Sequence, residues 1–337
     1  MTKQQELYDI TIIGGGPIGL FTAFYSGMRE MKTKIIEYLP FLGGKVSYFY
    51  PEKIIRDVGG IPAKSGEQFT EDLINQAKTF HPDIVLKQQI TGMEKQVDGT
   101  FILTSSNGEK HFTKTVVLAT GFGILSSTKL NLPHAEEFEK TNLDYCFSKM
   151  ENYREKNVLI SGGGNSAVDW ANVLEPIAKK VIVVHRKPTF TGMESSVTKM
   201  LNSTVEVLTP YELSELKGSN GQLSSVVLKH VENQEVKEVL VDRVIVNHGF
   251  QIALGPIANW GMDMDNGTIQ VDHTMATSIP GIFAVGDIAA YPGKLNLIAG
   301  GFNEGPIAVN HAKQFIAPKA NLATIFSTNY APLLDND

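Results

Sequence analysis

Gly14-Gly15-Gly16-Pro17-Ile18-Gly19 and Gly162-Gly163-Gly164-Asn165-Ser166-Ala167 are two runs whose residue types and spacing suit the binding of a pyrophosphate. In such a run the first glycine, Gly14 or Gly162, makes a tight turn, and the second, Gly16 or Gly164, lets phosphate reach the backbone. The third position, Gly19 or Ala167, lets a helix pack closely on a strand. Pro17 and Asn165 lie in the same loops and are expected to contact the ligand. The N-terminus of the following helix then offers free N–H groups and a partial positive charge to the anion.

The residues after each run differ in charge. About twenty residues beyond the first run, Glu37 ends the next apolar stretch, where a carboxylate accepts hydrogen bonds from a ribose diol. After the second run, Val181-Ile182-Val183-Val184 ends in His185-Arg186-Lys187, with no carboxylate. A guanidinium and an ammonium suit a ribose 2′-phosphate, which a glutamate would repel, so this site is expected to prefer NADPH over NADH. Two sites of opposite charge imply two different dinucleotides, and the acid-bearing N-terminal site is read as the FAD site. Near the C-terminus, Gly281-Ile282-Phe283-Ala284-Val285 leads into Gly286-Asp287, whose carboxylate is placed to bond a flavin ribityl chain. This chemistry requires neither a metal nor an acid–base dyad.

Strands and helices must hold these loops. Asp9 to Ile13 reads as a strand, followed by a helix to about Met31 and a strand from Thr33 to Glu37. The stretches Ile90 to Val97, Phe101 to Ser105 and Lys110 to Phe112, with turns at Asp98-Gly99 and Asn107-Gly108, read as an antiparallel meander. A separate buried strand, Thr115 to Thr120, closes the unit at Gly121. The plan then repeats: strand Asn157 to Ser161, helix Asn165 to Ala178, strand Lys180 to His185, a stretch from Thr204 to Leu208, a meander, and a closing strand Arg243 to Asn247 before Gly249. The expected fold is α/β, with two Rossmann-like domains, each a parallel sheet with helices and a small meander. Residues 1–120 and 250–337 form the FAD domain and 121–249 the inserted NADPH domain, with Gly121 and Gly249 as candidate hinges.

A chain of 337 residues fits two domains, and its 42% apolar and 20% charged residues fit a packed globular protein. A net charge of −6 argues against nucleic acid as a partner. Cys146 is the only cysteine, so an internal disulfide is excluded and a cytoplasmic location is expected, with no secretory signal. The uncharged stretch from Ile10 to Met28 is interrupted by glycines and Pro17, so it reads as strand, turn and helix rather than a membrane span.

The two fingerprints, Glu37, Ala119-Thr120-Gly121 and the segment ending in Gly286-Asp287 resemble the two-dinucleotide-domain flavoprotein superfamily in its small thioredoxin-reductase-like branch. Thioredoxin reductases of that branch relay electrons through a Cys-x-x-Cys, which a chain with one cysteine cannot contain. The match is closer to the thioredoxin-reductase-like ferredoxin/flavodoxin–NADP⁺ reductases, through Tyr50-Pro51-Glu52-Lys53, Asp57-Val58 and Ile61-Pro62. This resemblance implies that Tyr50 stacks on the isoalloxazine and that Glu37, Lys45, Ile90, Leu125, Asp287 and Thr328 also contact FAD. Thr328, in the tail Phe326-Ser327-Thr328, is implied to lie near the reactive ring nitrogen. Tyr50 and Thr328 are thus expected to shape the flavin environment rather than move protons. The chain departs from the family at Lys45, where glutamine is common, at Leu125, where an aromatic is common, and at Phe326, where a histidine is expected.

The resemblance further implies FAD and NADPH as cofactors, a homodimer, and hydride transfer from NADPH to the flavin with electrons passing singly to ferredoxin or flavodoxin. Reductases of low-molecular-weight disulfides of the bacillithiol type are the first alternative. They place a cysteine in the first fingerprint, which here reads Gly16-Pro17-Ile18-Gly19. A flavin-binding redox sensor is the second, and no signalling helix, DNA-reading motif or membrane anchor accompanies the fingerprints.

Overall fold

β-Branched residues are stiff at χ1 and favour extended backbone, and the parallel strands of this protein are built from runs of them. The structure is a computed structural model and describes residues 6–145 and 150–330; Cys146 lies outside the described residues. The first leg of the chain holds β1 (Leu7–Ile13), α1 (Pro17–Met28), β2 (Thr33–Ile36), α2 (Gly44–Phe49), α3 (Gly66–Lys78), β3 (Asp83–Val85), β4 (Ile90–Lys95), β5 (Phe101–Ser105) and β6 (Lys110–Leu118). There follow β7 (Leu143–Asp144), β8 (Asn157–Ser161), α4 (Asn165–Leu174), β9 (Lys180–Val184), β10 (Glu206–Leu208), β11 (Tyr211–Ser219), β12 (Gln222–His230), β13 (Val236–Leu240) and β14 (Arg243–Val246). The return leg supplies β15 (Ile282–Ala284) and α5 (Ile298–Ile316).

The chain divides into two units, Met1–Ile124 with Ile252–Asp337, and Leu125–Gln251. In the first, the sheet runs β3-β2-β1-β6-β5-β4, with β15 beside β6. β1 pairs in parallel with β2 and β6, bringing Ile13 level with Ile36 and Leu118. Successive side chains alternate between faces. Ile10, Ile12 and Val117 therefore enter the cluster containing Leu20, Phe69 and Val309, while Ile13, Val116 and Leu118 join Phe101 and Leu103.

Lys110–Leu118 is one strand, not the two separate stretches expected from the sequence. Its first half pairs antiparallel with β5 and its second half parallel with β1 and β15, so one strand serves both the meander and the parallel core. α1 lies closely against α5 because Gly301 and Gly305 leave no side chain between them. A Cβ at these glycines would come within 2.4 Å of Ile18 Cδ1 and 2.5 Å of Thr22 Oγ1. α3 is fixed at its start by a capping box in which Ser65 Oγ accepts the Gln68 N–H.

The second unit repeats the parallel arrangement in the order β7-β14-β8-β9-β10 and carries the antiparallel sheet β11-β12-β13. Its helix α4 stops at Leu174 rather than Ala178. Pro176 explains the early end, because its ring and missing N–H disfavour helix both at and just before it. Gly121 and Gly249 have φ of +60° and +93°, a left-handed backbone that favours glycine.

One buried histidine makes the stability of the first unit pH-dependent. His111 is 2% exposed, with Nε2 at 2.8 Å from Gln88 Oε1 and Nδ1 at 3.5 Å from Lys34 Nζ. Burial, and then the Lys34 ammonium, hold its pKa below the usual imidazole value of 6.5, with Glu109 opposing. The unfolded chain therefore binds this proton more readily, so stability is complete above the ordinary value and falls as pH drops through it. A urea midpoint measured at about pH 8 and about pH 5.5 should be lower in acid, and His111→Gln should shrink that difference.

Candidate functional site

At the C-terminal edge of the first sheet, Gly14 takes φ of +111° and packs so tightly that a Cβ would stand 2.4 Å from Ala119 O. A Cβ at Gly19 would stand 2.0 Å from Gly14 O, so helix and strand meet without side chains between them. Gly16 caps α1, and a Cβ there would find its nearest neighbour, Gly44 Cα, at 3.8 Å. The first turn of α1 has no side-chain cap and no acidic residue, and begins with Pro17, so its free N–H groups face this open space.

Glu37 is 6% exposed and accepts the N–H of Gly15 at 2.6 Å and of Leu39 at 2.8 Å. Burial raises its pKa, against the lowering effect of the backbone N–H groups of Leu39, Gly15 and Tyr38. The carboxylate is thus anchored to the glycine turn itself. Thr120 Oγ1, next to this turn, is buried without a hydrogen-bond partner. A cradle that a Cβ would fill, an uncapped helix start and an orphaned hydroxyl fit the diphosphate and ribose of a dinucleotide.

Asp287 follows β15, in the turn Gly286–Ile288. Because β15 lies beside β6 and β6 beside β1, the same sheet edge carries Gly14, Thr120 and Gly286, and a Cβ at Gly286 would lie 3.3 Å from Ile18 Cγ1 on α1. Tyr50, half-buried after α2, has its pKa raised by burial and then by the negative charges of Asp287 and Asp57. Lys45 is exposed, with Nζ 4.4 Å from the Phe122 ring centroid. Ile90 is 3% exposed at the start of the edge strand β4, so its side chain belongs to the core and only its backbone is offered to a ligand. The side chain of Leu125 lies outside the described residues.

Thr328 is exposed. Two residues on, Tyr330 meets Phe80 edge-on with ring centroids 5.7 Å apart. Phe80 in turn covers Gly27, where a Cβ would stand 2.3 Å away. Gly27 is in the last turn of α1, about 15 Å along the helix from Pro17 at its start.

The second cradle is built in the same way on different chemistry. Gly162 has φ of +155°, and a Cβ there would stand 2.5 Å from Asn247 O. A Cβ at Gly164, which caps α4, would meet nothing within 4 Å, and the helix start has neither a side-chain cap nor an acidic residue. Ala167 is fully buried, and Asn165 Oδ1 accepts the Met193 N–H at 2.7 Å, so Asn165 ties the neighbouring loop to the helix start. The His185 ring lies over Gly163, where a Cβ would stand 2.3 Å from Nε2. Its pKa is lowered by desolvation, then by the Arg186 and Lys187 charges. Arg186 and Lys187 are exposed, and among the described residues neither has an ion-pair partner.

Four residues at these cradles were not singled out from the sequence. Gly43 and Gly44, with φ of +105° and +55°, lie against the first glycine turn, and Gly43 N donates to Gly15 O at 2.8 Å. Their Gly-Gly dipeptide was a legible turn signal. At the end of β14, Asn247 Oδ1 is buried without a partner, and His248 Nε2 lies 2.8 Å from Ser161 Oγ. The pKa of His248, whose ring reaches solvent, is lowered by desolvation and then by the charges of Arg186 and His185.

Comparison with known proteins agrees with this geometry. Residues 8–312 match the model of the pyridine nucleotide-disulphide oxidoreductase family. The ferredoxin--NADP reductase 1 of Bacillus velezensis is 52% identical over 334 residues, covering 99% of each chain. That of Listeria monocytogenes is 50% identical over 325 residues, covering 96% of this chain and 98% of the other. Among solved structures, the thioredoxin reductase of Lactococcus lactis covers 92% of this chain and 99% of its own, with a TM-score of 0.71 and 26% identity. The bacillithiol disulfide reductase of Bacillus cereus has a TM-score of 0.67 at 18% identity, with coverage of 92% and 99%, a likeness of fold alone.

Proposed function

This chain belongs to the pyridine nucleotide-disulphide oxidoreductase family, and within it we propose that the protein is a ferredoxin/flavodoxin–NADP⁺ reductase, holding FAD at its first glycine cradle and NADPH at its second. The observation that carries the reading is the opposite charge of the two cradles: the buried Glu37 carboxylate at the first, and at the second the exposed Arg186 and Lys187, neither with an ion-pair partner among the described residues. Near-full-length relatives named ferredoxin--NADP reductase, at about half identity, support the choice of partner.

FAD, when bound, supplies a centre that takes up a hydride from NADPH and gives up electrons one at a time. The protein's own residues bind and orient. Gly14, Gly16, Pro17 and Gly19 give the diphosphate a backbone cradle, Glu37 accepts from the adenosine ribose, and Asp287 accepts from the ribityl chain. Tyr50 covers the flavin ring, with Lys45, Ile90 and Leu125 at its rim. Gly162, Gly164, Asn165 and Ala167 receive the NADPH diphosphate, and His185, Arg186 and Lys187 the 2′-phosphate. Thr328 and Phe326, exposed on the tail, belong to the flavin environment in this reading, which also takes the protein as a homodimer. A cytoplasmic location accompanies this reading.

The alternative, a disulfide reductase, needs a thiol at the flavin, and the sequence has one cysteine, outside both fingerprints. Turnover of NADPH with oxidised ferredoxin or flavodoxin, set against turnover with bacillithiol disulfide, tests the choice. Rapid reduction of the protein acceptor with negligible disulfide reduction is expected, and the reverse order would refute it.

A further inference from the structure

The loop that carries Asp287 is gripped from behind by a buried ion pair. Glu304, in the second turn of α5 and 2% exposed, accepts the Gly286 N–H at 2.6 Å and the Tyr291 hydroxyl at 2.8 Å. Lys294, 10% exposed, pairs with the Glu304 carboxylate and donates to Gly286 O at 3.0 Å. Both polar backbone atoms of Gly286 are thus held by side chains of one charge pair. Gly286 itself has φ of +74°, a conformation with little intrinsic preference for one geometry in a glycine.

A buried ion pair is a poor stabiliser, because removing both charges from water costs about as much as their attraction returns. An apolar pair of similar volume would pack α5 against the loop as well. It would not fix the two peptide planes that flank Gly286, because holding its N–H and its C=O takes an acceptor for the one and a donor for the other, which Glu304 and Lys294 supply. The second of these peptides, whose C=O Lys294 holds, leads directly into Asp287, and binding groups need neighbours that lock their geometry to within about 0.5 Å.

We propose that Glu304 and Lys294 are a positioning pair that sets the two peptides flanking Gly286 and thereby aims the Asp287 carboxylate at the flavin ribityl chain. The proposal rests on the reading of Asp287 as an FAD ligand. Neither residue touches the flavin in this account; each acts through Asp287, with Tyr291 orienting the Glu304 carboxylate.

The test is a double-mutant cycle read by the rate at which the holoprotein releases FAD on dilution, followed by flavin fluorescence. Glu304→Gln, which keeps the shape but removes the charge, is expected to speed release about tenfold in the wild-type background. In an Asp287→Asn background the same change is expected to add less than about twofold, because the contact it supports is already lost. Tyr291→Phe leaves the ion pair in place and serves the same cycle should Glu304→Gln fail to fold, with an expected effect of about threefold in the wild-type background alone. Equal multiplication of release rates in both backgrounds would mean that the pair merely staples helix to loop, and would overturn the proposal. If the protein took up no FAD, the functional reading itself would fall and the proposal with it.

Discussion

Gly16→Ala should cost the protein its FAD without costing it its fold. The nearest atom to a Cβ at Gly16 is 3.8 Å away, so the methyl group enters open space and strains nothing in the apoprotein. Its only structural penalty is that of alanine in place of glycine at a helix N-cap, below about 1 kcal/mol. The space it enters is the approach to the first free N–H groups of α1. Losing two charge-assisted hydrogen bonds to phosphate there corresponds to about 3 kcal/mol, or roughly a hundredfold in Kd. Gly19→Ala should behave differently, because its Cβ would stand 2.0 Å from Gly14 O and the strand and helix must part. That variant should lose both thermal stability and FAD. Calorimetry of the apoproteins beside FAD titration separates the two; equal destabilisation by both substitutions would contradict the assignment of Gly16 to the phosphate.

The second large effect is on the choice of reductant. Arg186→Ala should raise the KM for NADPH about a hundredfold while changing that for NADH less than about twofold. The reasoning is that a guanidinium grips the 2′-phosphate through two charge-assisted bonds, worth about 3 kcal/mol, and NADH lacks that phosphate. Arg186 is exposed and has no ion-pair partner among the described residues, so its removal should leave the fold unchanged. Steady-state kinetics with both nucleotides would show the split. Parallel increases for the two would mean that Arg186 contacts something common to both, and the NADPH preference would need another source.

Much of this site was legible in the sequence because its chemistry is backbone chemistry. Close approach of helix to strand and of phosphate to turn admits only glycine or alanine, so Gly14, Gly19, Gly162 and Ala167 announce their geometry in one dimension. Charge at a strand end is equally plain, as with Glu37 and Arg186. Contacts made across the fold were not. Gly43 and Gly44 reach the first cradle only because α2 folds back on it, and Asn247 and His248 reach the second because β14 lies beside β8. The Glu304–Lys294 pair was hidden for the same reason: the two residues stand ten apart in the sequence and meet only because α5 brings Glu304 back to the loop that follows β15.

Two boundary errors also have local causes. Lys110–Leu118 is continuous because it has two sets of strand partners, a property of the sheet and not of the segment. The early end of α4 at Leu174 follows from Pro176, two residues on. Thr328 shows the opposite limit. Its implied place at the flavin came from likeness to a family, and the contact beside it is that of Tyr330, two residues on, with Phe80.

The central claim is that one cradle holds a flavin and the other the nucleotide that reduces it. Anaerobic titration of the purified protein, followed by visible absorbance, addresses it directly. The account predicts a yellow holoprotein whose flavin bands bleach with stoichiometric NADPH, bleach poorly with NADH, and return on addition of oxidised ferredoxin or flavodoxin. A colourless protein that takes up no FAD, or a bound flavin that NADPH leaves oxidised, would contradict it.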